Sequence, residues 1–135
     1  MVSAGSVVLH NRAIRAAKKS AFEDVSLVYT TLLLLRDLYV PMRREGGLEK
    51  KRGYESALAA LGLEESASFA GSRAREQGEA YFVEYGGRRR ELDRHLKGSN
   101  SREERFGFRL YFFWDEETDQ VIVGWLPSHL PNRAT

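Results

Sequence analysis

The chain has 135 residues, with 21 Lys and Arg against 19 Asp and Glu, a net charge of +2 and no cysteine. That length fits one compact domain, 1–135, and the missing cysteines exclude a disulfide framework, a cysteine nucleophile, an iron–sulfur cluster and a Cys-ligated zinc site. Hydrophobic residues at 42%, charged residues at 30% and a mean hydropathy of −0.46 describe a water-soluble, folded chain whose near-balanced charge gives no bulk affinity for nucleic acid.

In Met1 to Ser20 the longest apolar run is Val7-Val8-Leu9, too short for a signal peptide, and Ser6 to His10 is a candidate edge strand. Asn11 to Lys19 carries Arg12, Arg15, Lys18 and Lys19 with no acid, so residues 1–20 read as a basic arm or a short strand and helix. Ser20 and Glu23 have capping-box spacing, which predicts a helix from Ala21. Phe22, Val25, Val28, Leu32, Leu35 and Tyr39 then recur at three- and four-residue steps and form one wide apolar face. Pro41 disfavours helix at Val40, which leaves Val25 to Val40 too short and too polar for a membrane span and predicts a core helix.

A second helix is predicted over Leu48 to Leu61, with Gly62 closing it and Leu63 folding back, so that the helical part covers 21–63. Residues 64–79 read as a long loop. Tyr81 to Tyr85 is rich in strand formers, Gly86-Gly87 suits a hairpin turn, and Arg88 to Asp93 is the return strand. Leu92 and Leu96 fit a short helix equally well. Phe106 to Trp114 alternates, with Phe106, Phe108, Leu110, Phe112 and Trp114 on one face and Arg109 and Tyr111 on the other. After the polar turn Asp115 to Asp119, Gln120 to Leu126 returns as its antiparallel partner. The expected fold is α+β, with two or three N-terminal helices packed on a three- to four-stranded antiparallel sheet over 80–130.

Charge is segregated. Arg88, Arg89, Arg90, Arg94, Lys97, Arg102, Arg105 and Arg109 face only Glu91, Asp93, Glu103 and Glu104 in the same stretch. With Tyr81, Tyr85 and Tyr111 nearby, such cations can hold phosphates and stack bases of single-stranded RNA. A solvated hairpin with ion pairs to neighbouring glutamates is the competing reading. His10, His95 and His129 lack metal-ligand spacing, the acidic turn 115–119 lacks the glycine and terminal glutamate of an EF-hand loop, and no phosphate-loop motif is present, so neither a metal nor a cofactor is expected. His129, just past the last strand, is a candidate general acid or base or, alternatively, a packing residue of the tail.

Leu92 to Asn132, with Phe108-Arg109-Leu110-Tyr111-Phe112, a polar turn, Val121-Ile122-Val123 and then His129, resembles the C-terminal part of RelE/ParE-type toxins. The resemblance implies a cytoplasmic, metal-independent endoribonuclease acting on ribosome-bound mRNA, neutralised by an antitoxin protein. It casts Arg109 as a phosphate or transition-state stabiliser and His129 as the acid or base. Tyr111 and Lys97 are auxiliary candidates chosen by residue type. ParE-type members bind DNA gyrase instead. A non-catalytic module that binds protein or nucleic acid, and a homodimer through the Leu32 to Leu35 helix, are the competing readings.

Overall fold

The structure, a computed structural model, describes residues 6–68, 78–98 and 107–128. Arg102, Arg105, Phe106, His129 and most of the expected loop over 64–79 lie outside the described residues. In chain order the elements are β1 (Val7–Leu9), α1 (Asn11–Lys19), α2 (Val25–Leu34), a π turn (Leu35–Tyr39), α3 (Val40–Glu45), α4 (Leu48–Ala60), β2 (Glu64–Ala67), a 3-10 turn (Gly78–Tyr81), β3 (Phe82–Tyr85), β4 (Arg88–Glu91), β5 (Arg94–Lys97), β6 (Arg109–Asp115) and β7 (Gln120–Trp125). The fold is α+β. The sheet differs from the expected one: it is mixed and five-stranded in the order β1-β7-β6-β5-β2, and β3 and β4 form a separate two-stranded ribbon. The mixed character comes from β1, which pairs parallel to β7 with Val7 opposite Val121.

Local chemistry corrects the helical boundaries. Ser20 closes α1, its N–H donating to the Ala17 carbonyl at 3.3 Å, while its Oγ accepts from the Phe22 N–H at 3.0 Å. It is therefore not the N-cap of a helix from Ala21. Asp24 takes that role, its Oδ1 accepting from the Leu27 N–H at 3.0 Å, and α2 begins at Val25. Nor does the helix end before Pro41. Proline lacks the N–H that an α-helix interior requires, and the π turn immediately before it widens the backbone so that Pro41 enters at the start of α3. The continuous helical run Val25–Glu45 spans 21 residues at a mean hydropathy of 1.3, long and apolar enough by length and composition to cross a membrane. Its inner face nonetheless lies on the sheet through Leu32, Leu35, Tyr39 and Val40. Leu32 and Leu35 are buried in the chain's own core.

The second helix ends as its sequence predicts. Gly62 has φ +72°, its N–H donates to Ala59 at 3.0 Å, and the Leu63 N–H reaches back to Leu58 at 2.9 Å. Leu63 is then turned into the core, and the chain continues as β2 rather than as loop. β2 pairs antiparallel with β5, which places Leu96 in a strand, whereas Leu92 falls in the short link between β4 and β5, so the alternative short helix does not form.

Strand alternation divides the sheet between two cores. One face sends Leu96, Leu110, Phe112, Val121 and Val123 into the helices, where the Tyr39 ring meets Phe112 edge-on at 5.3 Å and Tyr54 at 5.2 Å. The other face sends Tyr111, Phe113 and Ile122 against Tyr81, Val83 and Leu92 of the β3–β4 ribbon. Complete burial of each such side chain is worth about 1.5–3 kcal/mol, so the ribbon is anchored by apolar packing rather than by sheet hydrogen bonds. Gly86 and Gly87, at φ +61° and +77°, form the tight turn at its tip.

Candidate nucleic-acid interface

Register determines which candidate residues meet. Across β2, β5 and β6, Glu64, Lys97 and Arg109 form one cross-strand row, and Ser66, His95 and Tyr111 form the next. Both rows project from the ribbon-side face. Residues directly opposite on an antiparallel pair have Cβ atoms about 4.5–5.5 Å apart, so Lys97 and Arg109 place two cations side by side. Arg109 is half-buried; its Nη1 donates to the Phe108 carbonyl at 2.8 Å, and its backbone N–H donates to the Pro127 carbonyl at 2.7 Å. The start of β6 is thereby tied to the segment that leads out of β7.

In the neighbouring row the His95 ring stacks on Tyr111 with centroids 5.2 Å apart and planes 25° from parallel. Ser66 Oγ lies 3.3 Å from Nε2 and Ser68 Oγ 3.5 Å from Nδ1. Tyr111 itself is buried, with Tyr81 edge-on at 5.9 Å, so its ring supports the imidazole from below. The half-buried His95, excluded above only as a metal ligand, is the site residue that the sequence analysis did not single out. The signal was present: His95 and Lys97 are two apart, and reading 94–97 as strand puts them on one face.

The other arginines go elsewhere. Arg94 emerges on the helix face, where its Nε donates to Glu65 Oε2 at 2.6 Å and the Tyr54 hydroxyl donates to Glu65 Oε1 at 2.8 Å. These groups line a cavity of ≈ 670 Å³ between α4 and β2, with Met42, Leu58 and Leu63 as its apolar part. Burial first, and then the Glu65 carboxylate, push the Tyr54 phenol upward; the same two causes push Tyr39 up to about 12. Arg88 pairs with Glu117 at 3.1 Å. Arg90 lies 4.3 Å over the Phe113 ring and donates to Asp115 at 3.3 Å, and Arg89 covers the Phe82 ring at 3.8 Å on the outer side of the ribbon. The sequence cluster is therefore split across three surfaces. Lys97 and Arg109 remain together, and the positions of Arg102, Arg105 and His129 relative to them fall outside the described residues.

Burial alone would raise the Asp115 pKa. Hydrogen bonds from Thr118 Oγ1 at 2.7 Å, from the Glu117 N–H and from Arg90 outweigh it and hold the carboxyl below the ordinary range. Asp115 thus organises the β6–β7 turn, and the acidic segment 115–119 has a structural use. Among the described residues no group of three His, Asp or Glu side chains is placed to hold a metal ion.

Comparison with known proteins finds no match to this chain among family models, curated proteins or solved structures. The RelE/ParE resemblance accordingly rests on the residues quoted for it.

Proposed function

We propose that the chain is a RelE-like, metal-independent endoribonuclease acting on mRNA, with its phosphate-binding centre at Lys97 and Arg109. The observation that carries this reading is the direct cross-strand opposition of those two cations, beside an imidazole supported on an aromatic ring. A paired Lys and Arg suit a phosphodiester: the guanidinium forks onto two oxygens and the ammonium neutralises the charge that develops in the transition state. In the proposed reaction a base takes the proton of the ribose 2′-hydroxyl and the 2′-oxygen bonds to phosphorus. The bond to the 5′-oxygen breaks, and an acid returns a proton to that leaving oxygen. His95 is one group suited to such transfers near neutral pH, and His129 is assigned the second. Tyr111 acts through His95 as a positioning residue. RNA on the ribosome is the proposed target, an antitoxin protein the proposed regulator and the cytoplasm the proposed location.

A second reading, a non-catalytic module that binds protein or nucleic acid, is favoured by one set of contacts. Arg88, Arg90 and Arg94 each have a carboxylate partner within the chain, which fits structural work better than a strand-long RNA track.

Cleavage of a defined mRNA separates the two readings. Wild-type protein, with and without ribosomes and with EDTA present, is compared with the Arg109→Ala, Lys97→Ala, His95→Ala and His129→Ala variants. The nuclease reading expects EDTA-resistant cuts that fall about 10²–10⁴-fold in the histidine variants, the usual worth of general acid–base catalysis. RNA left intact under every condition, yet retained by the protein, establishes the binding module instead.

A further inference from the structure

Helix α1 carries the most one-sided charge among the described elements. All four charged side chains of α1, namely Arg12, Arg15, Lys18 and Lys19, are cations. Its first turns border a depression of ≈ 460 Å³ shared with the ribbon and lined by His10, Arg12, Arg15, Ala80, Phe82, Val83 and Glu84. Arg12 is half-buried and held from two sides: its guanidinium lies 5.0 Å over the Trp125 ring, and its Nη1 donates to the Phe82 carbonyl at 2.9 Å. Arg15, one turn on, is exposed. His10 completes the wall, with Nδ1 accepting from the Arg12 N–H at 3.0 Å and Nε2 donating to the Glu84 carbonyl at 2.9 Å. The lining therefore sets two guanidinium groups against one carboxylate, that of Glu84.

We propose that this depression is a phosphate-binding site, with Arg12 as the fixed donor and Arg15 as the mobile one, for a phosphate carried by a nucleotide or by the end of an RNA strand. Three observations support it. A guanidinium already oriented by an aromatic ring and a carbonyl loses little further freedom on binding an anion. The Arg12 pKa is lowered first by burial and then by the charge of Arg15, so the two cations strain against each other, a strain that a phosphate relieves. Lys18 and Lys19 extend the positive potential along α1, which favours an anion attached to a longer polyanion. The lining of this site shares no residue with the Lys97 and Arg109 row, and the site does not depend on the cleavage reading.

The test is an amide-resolved NMR titration of the full chain with inorganic phosphate, adenosine monophosphate and a short 5′-phosphorylated single-stranded RNA. Saturable shifts at Arg12, Arg15, Phe82 and Glu84 are expected. Tighter binding of the RNA than of the mononucleotide identifies a strand as the source, and equal binding identifies a free nucleotide. Arg15→Glu, at an exposed position, should leave the melting temperature in place and weaken binding about tenfold or more. Arg12→Lys keeps the charge, loses the fork and should weaken it less. Retention of binding by Arg109→Ala separates this site from the proposed cleavage row. Shifts that never saturate, or Arg15→Glu binding as well as wild type, overturn the proposal.

Discussion

Single side chains connect the elements at two places where a substitution has a calculable effect. His10 is an unusual N-cap: it satisfies an orphan N–H of α1 through Nδ1 and ties that helix to the ribbon through Nε2. His10→Ala removes both bonds and should cost about 1–2 kcal/mol in a denaturant titration, whereas His10→Asn restores the cap and should recover part of the loss. Asp115 provides a pH test. Its folded pKa lies below the unfolded one, so its contribution is fully present above about pH 4 and disappears as the pH falls through the folded value. Asp115→Asn should therefore lower stability at pH 7 by about 1–3 kcal/mol and matter progressively less in acid, as thermal melts across that range will show.

Elements meet most tightly where β7 passes under the ribbon. Opposite Tyr111 and Phe112 the register skips Gly124, and a Cβ there would fall 2.4 Å from Leu92 Cδ2, inside a fully buried side chain. Gly124→Ala should destabilise by about 1–3 kcal/mol through overpacking. Leu92→Ala alone should cost about 2–5 kcal/mol by opening a cavity, and the double variant should cost clearly less than the sum, because the new methyl occupies the space that Leu92 vacates. The helix–sheet layer has an alkaline counterpart. Tyr39 resists ionisation in the folded state up to about pH 12 against about 10 in the unfolded chain, so the stability it confers is complete below pH 10 and is lost as the pH rises toward 12. Tyrosinate absorbance should accordingly appear together with unfolding in that window, and Tyr39→Phe should reduce the alkaline sensitivity.

At the scale of the whole molecule, periodicity made part of the fold legible and left part of it hidden. Phe108, Leu110 and Phe112 alternate strictly, Gly86-Gly87 offers positive φ twice, and Gly62-Leu63 closes a helix by local bonds alone; each of these is a short-range instruction, and the strand, turn and helix end they mark are present, although β6 spans Arg109–Asp115 and leaves Phe108 just ahead of it. The run through Pro41 was misread because a π turn absorbs the missing N–H, an arrangement with no signature in residue type. β2 was missed because Glu64-Glu65-Ser66-Ala67 has little strand propensity and exists as a strand only by pairing with β5. The candidate site shows the same division. The sequence by itself determined the α+β class, the principal hairpin and the inventory of cations and histidines, since these depend on composition and on contacts within a few residues. Only the tertiary structure decided that Lys97 and Arg109 stand together, that His95 joins them, that Arg94 turns to the helix face and that Arg12 settles on Trp125. Those outcomes depend on strand register and layer packing, and a shift of one residue would have sent every one of these side chains to the opposite face.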